Sequence, residues 1–137
     1  MKRIFNLLIL LAAFTLSCAP QKPTADNQTV MKLEKNDDGE WDIEVFDTQY
    51  DYFLNAIAKP MNMYSESYLK NRNQFLVSEW NSYYYSGRYR NIIESAIDYD
   101  PNENYGLKFE YKLYQAFAYV QWKYGLRMQG LSATDVR

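Results

Sequence analysis

The chain has 137 residues, about one domain's worth. It contains no histidine and one cysteine, which excludes Ser-His-Asp and Cys-His catalysis, histidine-ligated zinc, an imidazole pH switch and an internal disulfide. A net charge of −2 without any basic run argues against a nucleic-acid partner, and 47% hydrophobic with 23% charged residues marks a globular chain rather than a disordered one. Aromatic content is the outlier at 18%, with 14 tyrosines that all fall between Tyr50 and Tyr124.

In chain order, Lys2 and Arg3 precede an apolar run from Ile4 to Phe14 that only Asn6 interrupts. Spanning a bilayer takes about 20 apolar residues, so this run is too short. A charged start, a short apolar core and small residues describe a secretory signal peptide over residues 1–17. The sole cysteine stands where the signal ends, in Thr15-Leu16-Ser17-Cys18. This resembles the lipobox of bacterial lipoproteins, although Thr15 stands where leucine is usual. The resemblance implies cleavage before Cys18 and a diacylglyceryl thioether on its sulfur. Acyl chains contribute about 0.8 kcal/mol per buried methylene, so two or three of them anchor a protein firmly. Ala19, not an acidic residue, follows the cysteine. The inner-membrane retention signal of some bacteria is therefore missing, which points to the outer membrane.

Residues 18–38 read as lipidated cysteine and flexible tether, with Pro20 and Pro23 among polar residues. A single globular domain is expected over 39–128 and a frayed tail over 129–137. Val30 to Lys35 and Trp41 to Phe46 carry period-two character; in the second run Trp41, Ile43 and Val45 alternate with Asp42 and Glu44. Asp38-Gly39 between them favours a tight turn, so the two runs form either a hairpin or a single strand preceded by tether. Asp47 or Thr48 then caps a helix with Tyr50, Phe53, Leu54 and Ile57 on one face, ended by Pro60. Ser65 caps a second helix, whose stripe of Leu69, Leu76, Trp80 and Tyr84 is interrupted by polar Asn71 to Gln74. Periodicity leaves 75–85 open between helix and strand. Gly87 closes this segment, and a short helix is readable through Ile92, Ile93 and Ala96. Phe109, Leu113, Phe117, Val120 and Tyr124 mark one face of a last helix that Gly125 ends, with Lys108, Lys112 and Gln115 largely opposite.

Five segments carry a resemblance: Ala58-Lys59-Pro60-Met61-Asn62, Val77-Ser78-Glu79-Trp80-Asn81, Ile97-Asp98-Tyr99-Asp100-Pro101, Tyr105-Gly106 and Tyr111-Lys112-Leu113-Tyr114. Together they resemble an uncharacterised family of small exported lipoproteins of Gram-negative bacteria, over roughly residues 40–126. The resemblance implies export and one small domain. It brings no activity, ligand or catalytic residue with it.

Asp98, Asp100, Asn102 and Asn104 place oxygen ligands at every second residue, as the start of an EF-hand loop does. The required glycine is Glu103 and the bidentate glutamate is Phe109, so the stretch reads as a polar turn, with Asn104 available to cap the last helix, and no metal is expected. Trp80 with Tyr83, Tyr84, Tyr85 and Tyr89 offers rings for stacking, though consecutive helical residues point apart, and a tyrosine-rich core explains them more simply. Arg88 and Arg90, with Glu94, offer partners for a carboxylate or a sugar. Glu79 beside Trp80 suits a carboxyl in an apolar pocket, the setting of a general acid, but no second carboxylate stands at a recognisable spacing.

The expected fold is α+β and mainly helical: one short strand or hairpin, then about three helices around an aromatic core, with all-α as the alternative. The expected function is a lipid-anchored envelope lipoprotein, non-catalytic and without cofactor, that binds another envelope protein through a surface including Trp80, Tyr84, Arg88 and Arg90. A glycan-binding lipoprotein using exposed Tyr and Trp is the alternative reading, and a carboxylate-based hydrolase the next.

Overall fold

A computed structural model describes residues 31–135. The signal segment 1–17, Cys18 and the start of the tether therefore lie outside the described residues. The chain folds as a two-stranded hairpin followed by three helices. Strand β1 (Met31–Lys35) pairs antiparallel with β2 (Trp41–Val45), with Leu33 opposite Ile43. The turn between them is built by Asn36, whose Oδ1 accepts the amides of Asp38 and Glu40 at 3.1 and 2.9 Å. Met31 and Ile43 are buried, so β1 belongs to the folded unit. The tether boundary expected at residue 38 is corrected to the start of β1, because a lone strand at 41–45 would leave its ladder groups unpaired.

Helix α1 (Tyr50–Ala56) begins after Gln49, one residue later than the sequence suggests. Asp47 still organises the start: its Oδ1 accepts the Gln49 amide at 3.0 Å and its carbonyl accepts that of Tyr50. Tyr50 and Phe53 are buried, whereas Ile57 at the end of the expected face is exposed. Pro60 leads into a single 3-10 turn at Met61–Met63.

Helix α2 (Glu66–Ser86) runs unbroken for 21 residues, so 75–85 is helix. Ser65 caps it as expected, accepting the Tyr68 amide at 3.3 Å. Asn73 does not break it, because its side chain is buried and bonded to Glu110. Gly87 ends it in the left-handed conformation at φ +70°, a position where an added Cβ would lie 2.5 Å from Arg90 Nη2. Residues 88–92 form turns and 93–97 run irregularly, in place of the short helix read from Ile92, Ile93 and Ala96; Ile92, Ile93 and Ile97 are nonetheless buried.

Helix α3 (Leu107–Tyr124) is the centre of the molecule. Gly106, and not Asn104, occupies its N-cap, and Gly125 closes it at φ +68°. Phe109, Leu113, Phe117 and Val120 are buried as expected, and Tyr124 is half-buried. Gln115, expected on the outer face, is also fully buried, with its Nε2 3.5 Å from the hydroxyl of Tyr64 in the segment that leads into α2. Among the described residues no helix is long and apolar enough to cross a membrane.

The expected frayed tail is corrected too. Leu126 and Met128 are buried, Leu131 packs on the core, and the Gln129 amide donates to Glu79 at 2.9 Å. Gly130 lies so close to α2 that an added Cβ would stand 2.6 Å from Leu76 Cγ. Leu76 is itself fully buried and cannot swing away.

Two stability outcomes follow from this packing. Phe117, packed edge-on against Trp80 at 5.8 Å between centroids, should lose about 3–5 kcal/mol on Phe117→Ala, read by denaturant titration. Gly130→Ala should cost about 1–3 kcal/mol by overpacking against Leu76. A wild-type midpoint for Gly130→Ala would show that residues 129–135 do not dock in solution.

Candidate functional site

The turn after α2 is held from beneath. Trp80 is fully buried, and its indole Nε1 donates to the Ser95 carbonyl at 2.8 Å. Asn81 grips Ile97 twice, donating to its carbonyl and accepting its amide, each at 2.8 Å. Two neighbouring α2 residues thus fix the far end of a loop that starts at Gly87. Near its start, Tyr89 holds a left-handed φ of 55°. Non-glycine residues adopt that region rarely, and here the ring is clamped. It meets Tyr83 edge-on at 5.1 Å, while the Arg88 guanidinium lies over both rings, 5.0 Å from Tyr83 and 5.3 Å from Tyr89. Arg90 Nε donates to the Gly87 carbonyl at 3.2 Å, capping the chain just past the helix end.

What this bracing presents is a shallow hollow of about 600 Å³ lined by Tyr84, Tyr85, Arg90, Ile93 and Glu94. Tyr85 is its most exposed ring, at 77%. Tyr84 and Tyr85 are in contact at 5.2 Å with their planes 69° apart, so they share no flat platform. Three of the four expected surface residues therefore reach this region: Tyr84 and Arg90 line the hollow, and Arg88 is exposed beside it. Trp80 is corrected: it belongs to the core, and it holds the loop after α2 from beneath. Glu79 is corrected likewise. Its carboxylate accepts the Tyr83 hydroxyl at 2.7 Å and the Gln129 amide at 2.9 Å, which makes it a staple between helix and tail. That bond to Glu79, with burial second, pushes the Tyr83 hydroxyl up to about 12.

The Asp98–Asn104 stretch is a turn closed on itself. Asp100 Oδ1 accepts both the backbone and side-chain N–H of Asn102, and the Asp100 amide donates to the Tyr105 hydroxyl. Among the described residues no group of three or more acidic or cysteine side chains is arranged to hold a metal ion.

A second concavity was not legible in the sequence. It is a cleft of about 370 Å³ between the 59–68 segment and the chain end, lined by Lys59, Tyr64, Tyr68, Ser132, Thr134 and Asp135 among others. Asp135 is its buried centre, receiving Lys59 Nζ at 2.8 Å and the Tyr114 hydroxyl at 2.7 Å. Burial works against the Asp135 charge, but the Lys59 and Tyr114 bonds outweigh it and hold its pKa below the usual carboxylate value. Burial raises Tyr64 to about 12, with the Asp135 carboxylate adding to the effect. A lysine and an aspartate 76 positions apart leave no local pattern to find.

One further buried carboxyl is held by neutral hydrogen-bond donors. Glu110 on α3 is 1% exposed; Asn73 Nδ2 donates to its Oε2 at 2.7 Å, and the Tyr99 hydroxyl lies 3.0 and 3.2 Å from its two oxygens. Burial raises its pKa, and the hydrogen bonds from Asn73 and Tyr99 oppose that without cancelling it. Asp47 behaves in the opposite way. Burial disfavours its charge, yet Lys123 at 2.6 Å and the Gln49 amide hold its pKa below the usual value.

The two groups give opposite pH signatures. A carboxyl with a raised folded-state pKa binds its proton more tightly in the folded chain, so stability falls as pH climbs from the ordinary carboxylate range through the raised value. The stability of Glu110→Gln relative to wild type in denaturant titrations should accordingly rise as pH climbs above the ordinary carboxylate range. A depressed pKa stabilises above the ordinary value and is lost as pH falls through it. The deficit of Asp47→Asn should accordingly shrink as pH is lowered below about 4. A pH-independent difference for Glu110→Gln would mean that this carboxyl titrates as an exposed one.

Among curated proteins and among solved structures, nothing matches the chain. A family model does, over residues 6–136. That match spans nearly the whole sequence, and by it the chain belongs to the family of unknown function DUF6146.

Proposed function

We infer that this protein is a lipid-anchored lipoprotein of the bacterial cell envelope, exported by residues 1–17, held at the outer membrane through lipid on Cys18, and acting as a non-catalytic module that binds another envelope protein. The observation that supports the binding surface is the braced loop after α2. The last turn of α2 displays the Tyr85 ring and the loop the Arg90 guanidinium, around a hollow that buried Ile93 also lines. Tyrosine and arginine are the residues that dominate protein–protein hot spots. A loop already fixed by Trp80 and Asn81 loses little conformational freedom when a partner docks, which lowers the cost of association.

The 69° angle between Tyr84 and Tyr85 favours a protein partner over a sugar at this place, since a sugar ring stacks on a flat face. The hydrolase reading draws on Glu79, whose carboxylate is already engaged by Tyr83 and Gln129. That engagement favours a binding role for the surface over a catalytic one.

Two experiments test the proposal. Cys18→Ser should abolish acyl labelling and free the protein from membranes or leave it unprocessed; unchanged labelling overturns the anchor. A photoreactive residue at Tyr85 should crosslink one discrete envelope protein in cells, with the yield falling at least about tenfold on Arg90→Glu. The same probe at Tyr52, 60% exposed on α1, should not capture it. Equal capture from both positions overturns the surface assignment.

A further inference from the structure

The cleft around Asp135 has the chemistry of a small-ligand site, independent of the surface proposed above. Its volume of about 370 Å³ lies within the ~300–1,000 Å³ typical of such sites. One wall is aromatic: Tyr64 and Tyr68 stand 6.1 Å apart with planes only 26° from parallel, and Met63 beside them is 65% exposed. The other wall is hydroxyl-rich, with Ser132 and Thr134 in mutual contact at 3.0 Å.

Charge decides what class of ligand this suits. Lys59 and Asp135 neutralise each other at 2.8 Å, so the cleft demands neither an anion nor a cation. Lys59 still has capacity. An ammonium carries three donors, and Lys59 spends them on Asp135 and Thr134 Oγ1, at 2.8 and 3.2 Å, with one over. A carboxylate accepts about four bonds; Lys59, Tyr114, a long contact from Thr134 at 3.4 Å and the half-buried Tyr64 hydroxyl share those on Asp135. A ligand hydroxyl, itself donor and acceptor, satisfies the spare Lys59 donor and takes the place of Tyr64 on the carboxylate. Rings nearby suit the apolar C–H face of the same molecule. Among neutral small molecules, vicinal hydroxyls on one edge and C–H groups on the face describe a pyranose.

We propose that this cleft is a binding site for a neutral sugar unit of an oligosaccharide, with Tyr64 and Tyr68 against the ring face and Lys59, Thr134 and Asp135 on its hydroxyls. The site joins the turn before α2 to the last described residues, so it forms only when the chain end docks.

The full chain, purified in detergent, is titrated calorimetrically with neutral oligomers of glucose, mannose, xylose and N-acetylglucosamine, and with galacturonate oligomers as the anionic comparison. The expected result is saturable binding of at least one neutral oligomer. Affinity should fall about tenfold or more in Tyr68→Leu and in Thr134→Val, stay near wild type in Tyr68→Phe, and be unchanged in Arg90→Glu. Melting curves establish that each variant is folded; should Tyr68→Leu fail to fold, Thr134→Val and Tyr68→Phe carry the comparison. Absence of binding to every neutral oligomer overturns the proposal. So does binding confined to galacturonate, binding indifferent to Thr134→Val, or binding lost on Arg90→Glu, which would move the sugar to the surface after α2.

Discussion

The burial of α3 on nearly every side is the constraint from which the rest of the structure follows. From Leu113 to Val120 eight consecutive residues are buried, so a polar group among them can be satisfied only from inside the protein, as Tyr114 is by Asp135; Gln115 Oε1 finds no such partner among the described residues. Elements that cover α3 are correspondingly tied to it by polar contacts as well as by packing. The hairpin is joined through Lys112 to Asp42 at 2.6 Å, the start of α1 through Lys123 to Asp47 at 2.6 Å, and the chain end through Tyr114 to Asp135 at 2.7 Å. Those pairs are partly or largely shielded, unlike the exposed Lys32–Glu34 pair on the hairpin, which contributes little.

Tyrosine is the residue that makes this arrangement workable, and it accounts for the composition. A phenylalanine fills space, whereas a tyrosine fills the same space and delivers a hydrogen bond at the edge of the core. Tyr50 donates to the Lys112 carbonyl at 2.9 Å, Tyr111 to the Lys59 carbonyl at 2.8 Å, and Tyr99 to the Glu110 carboxyl. Each such bond contributes about 1 kcal/mol net, but leaving its buried acceptor unpaired costs more. Tyrosines thus set where loops run as much as how the core fills. The segments around Lys59, Trp80-Asn81, Tyr99 and Tyr111 all take part in side-chain to backbone or side-chain to carboxyl bonds of this kind.

Both candidate sites are by-products of this stapling. At the end of α2, buried Trp80 and half-buried Asn81 hold a loop in a strained conformation and so leave Tyr85 and Arg90 displayed on a stiff support. At the opposite end of the same helix, Lys59, Tyr64 and Tyr68 meet the chain end across a cleft whose charges already balance. The first presents a projecting aromatic and arginine edge, the second a recessed polar one. That difference in shape and charge is why a protein partner is proposed for one and a sugar for the other.

Local signals were enough for most element boundaries. Ser65 capping α2, Gly87 and Gly125 ending helices and the stripe from Phe109 to Val120 all act within a few residues of themselves and stand as read, while the hairpin turn expected at Asp38-Gly39 is a five-residue loop organised by Asn36. The sequence also determined what chemistry the chain lacks, since no fold can supply an imidazole or a second thiol. Tertiary structure decided which polar residues are inside. Periodicity reports that a helix has an apolar face but not how many neighbours cover it, so Gln115 read as outward and Asn73 as an interruption, and both are buried. Trp80 read as a surface ring because its partner, the Ser95 carbonyl, lies across a loop. The region after Met128 read as a tail because it lacks periodicity. What docks it is a glycine that fits against Leu76 and an aspartate that meets a lysine 76 residues earlier, and only the closed chain brings those groups together.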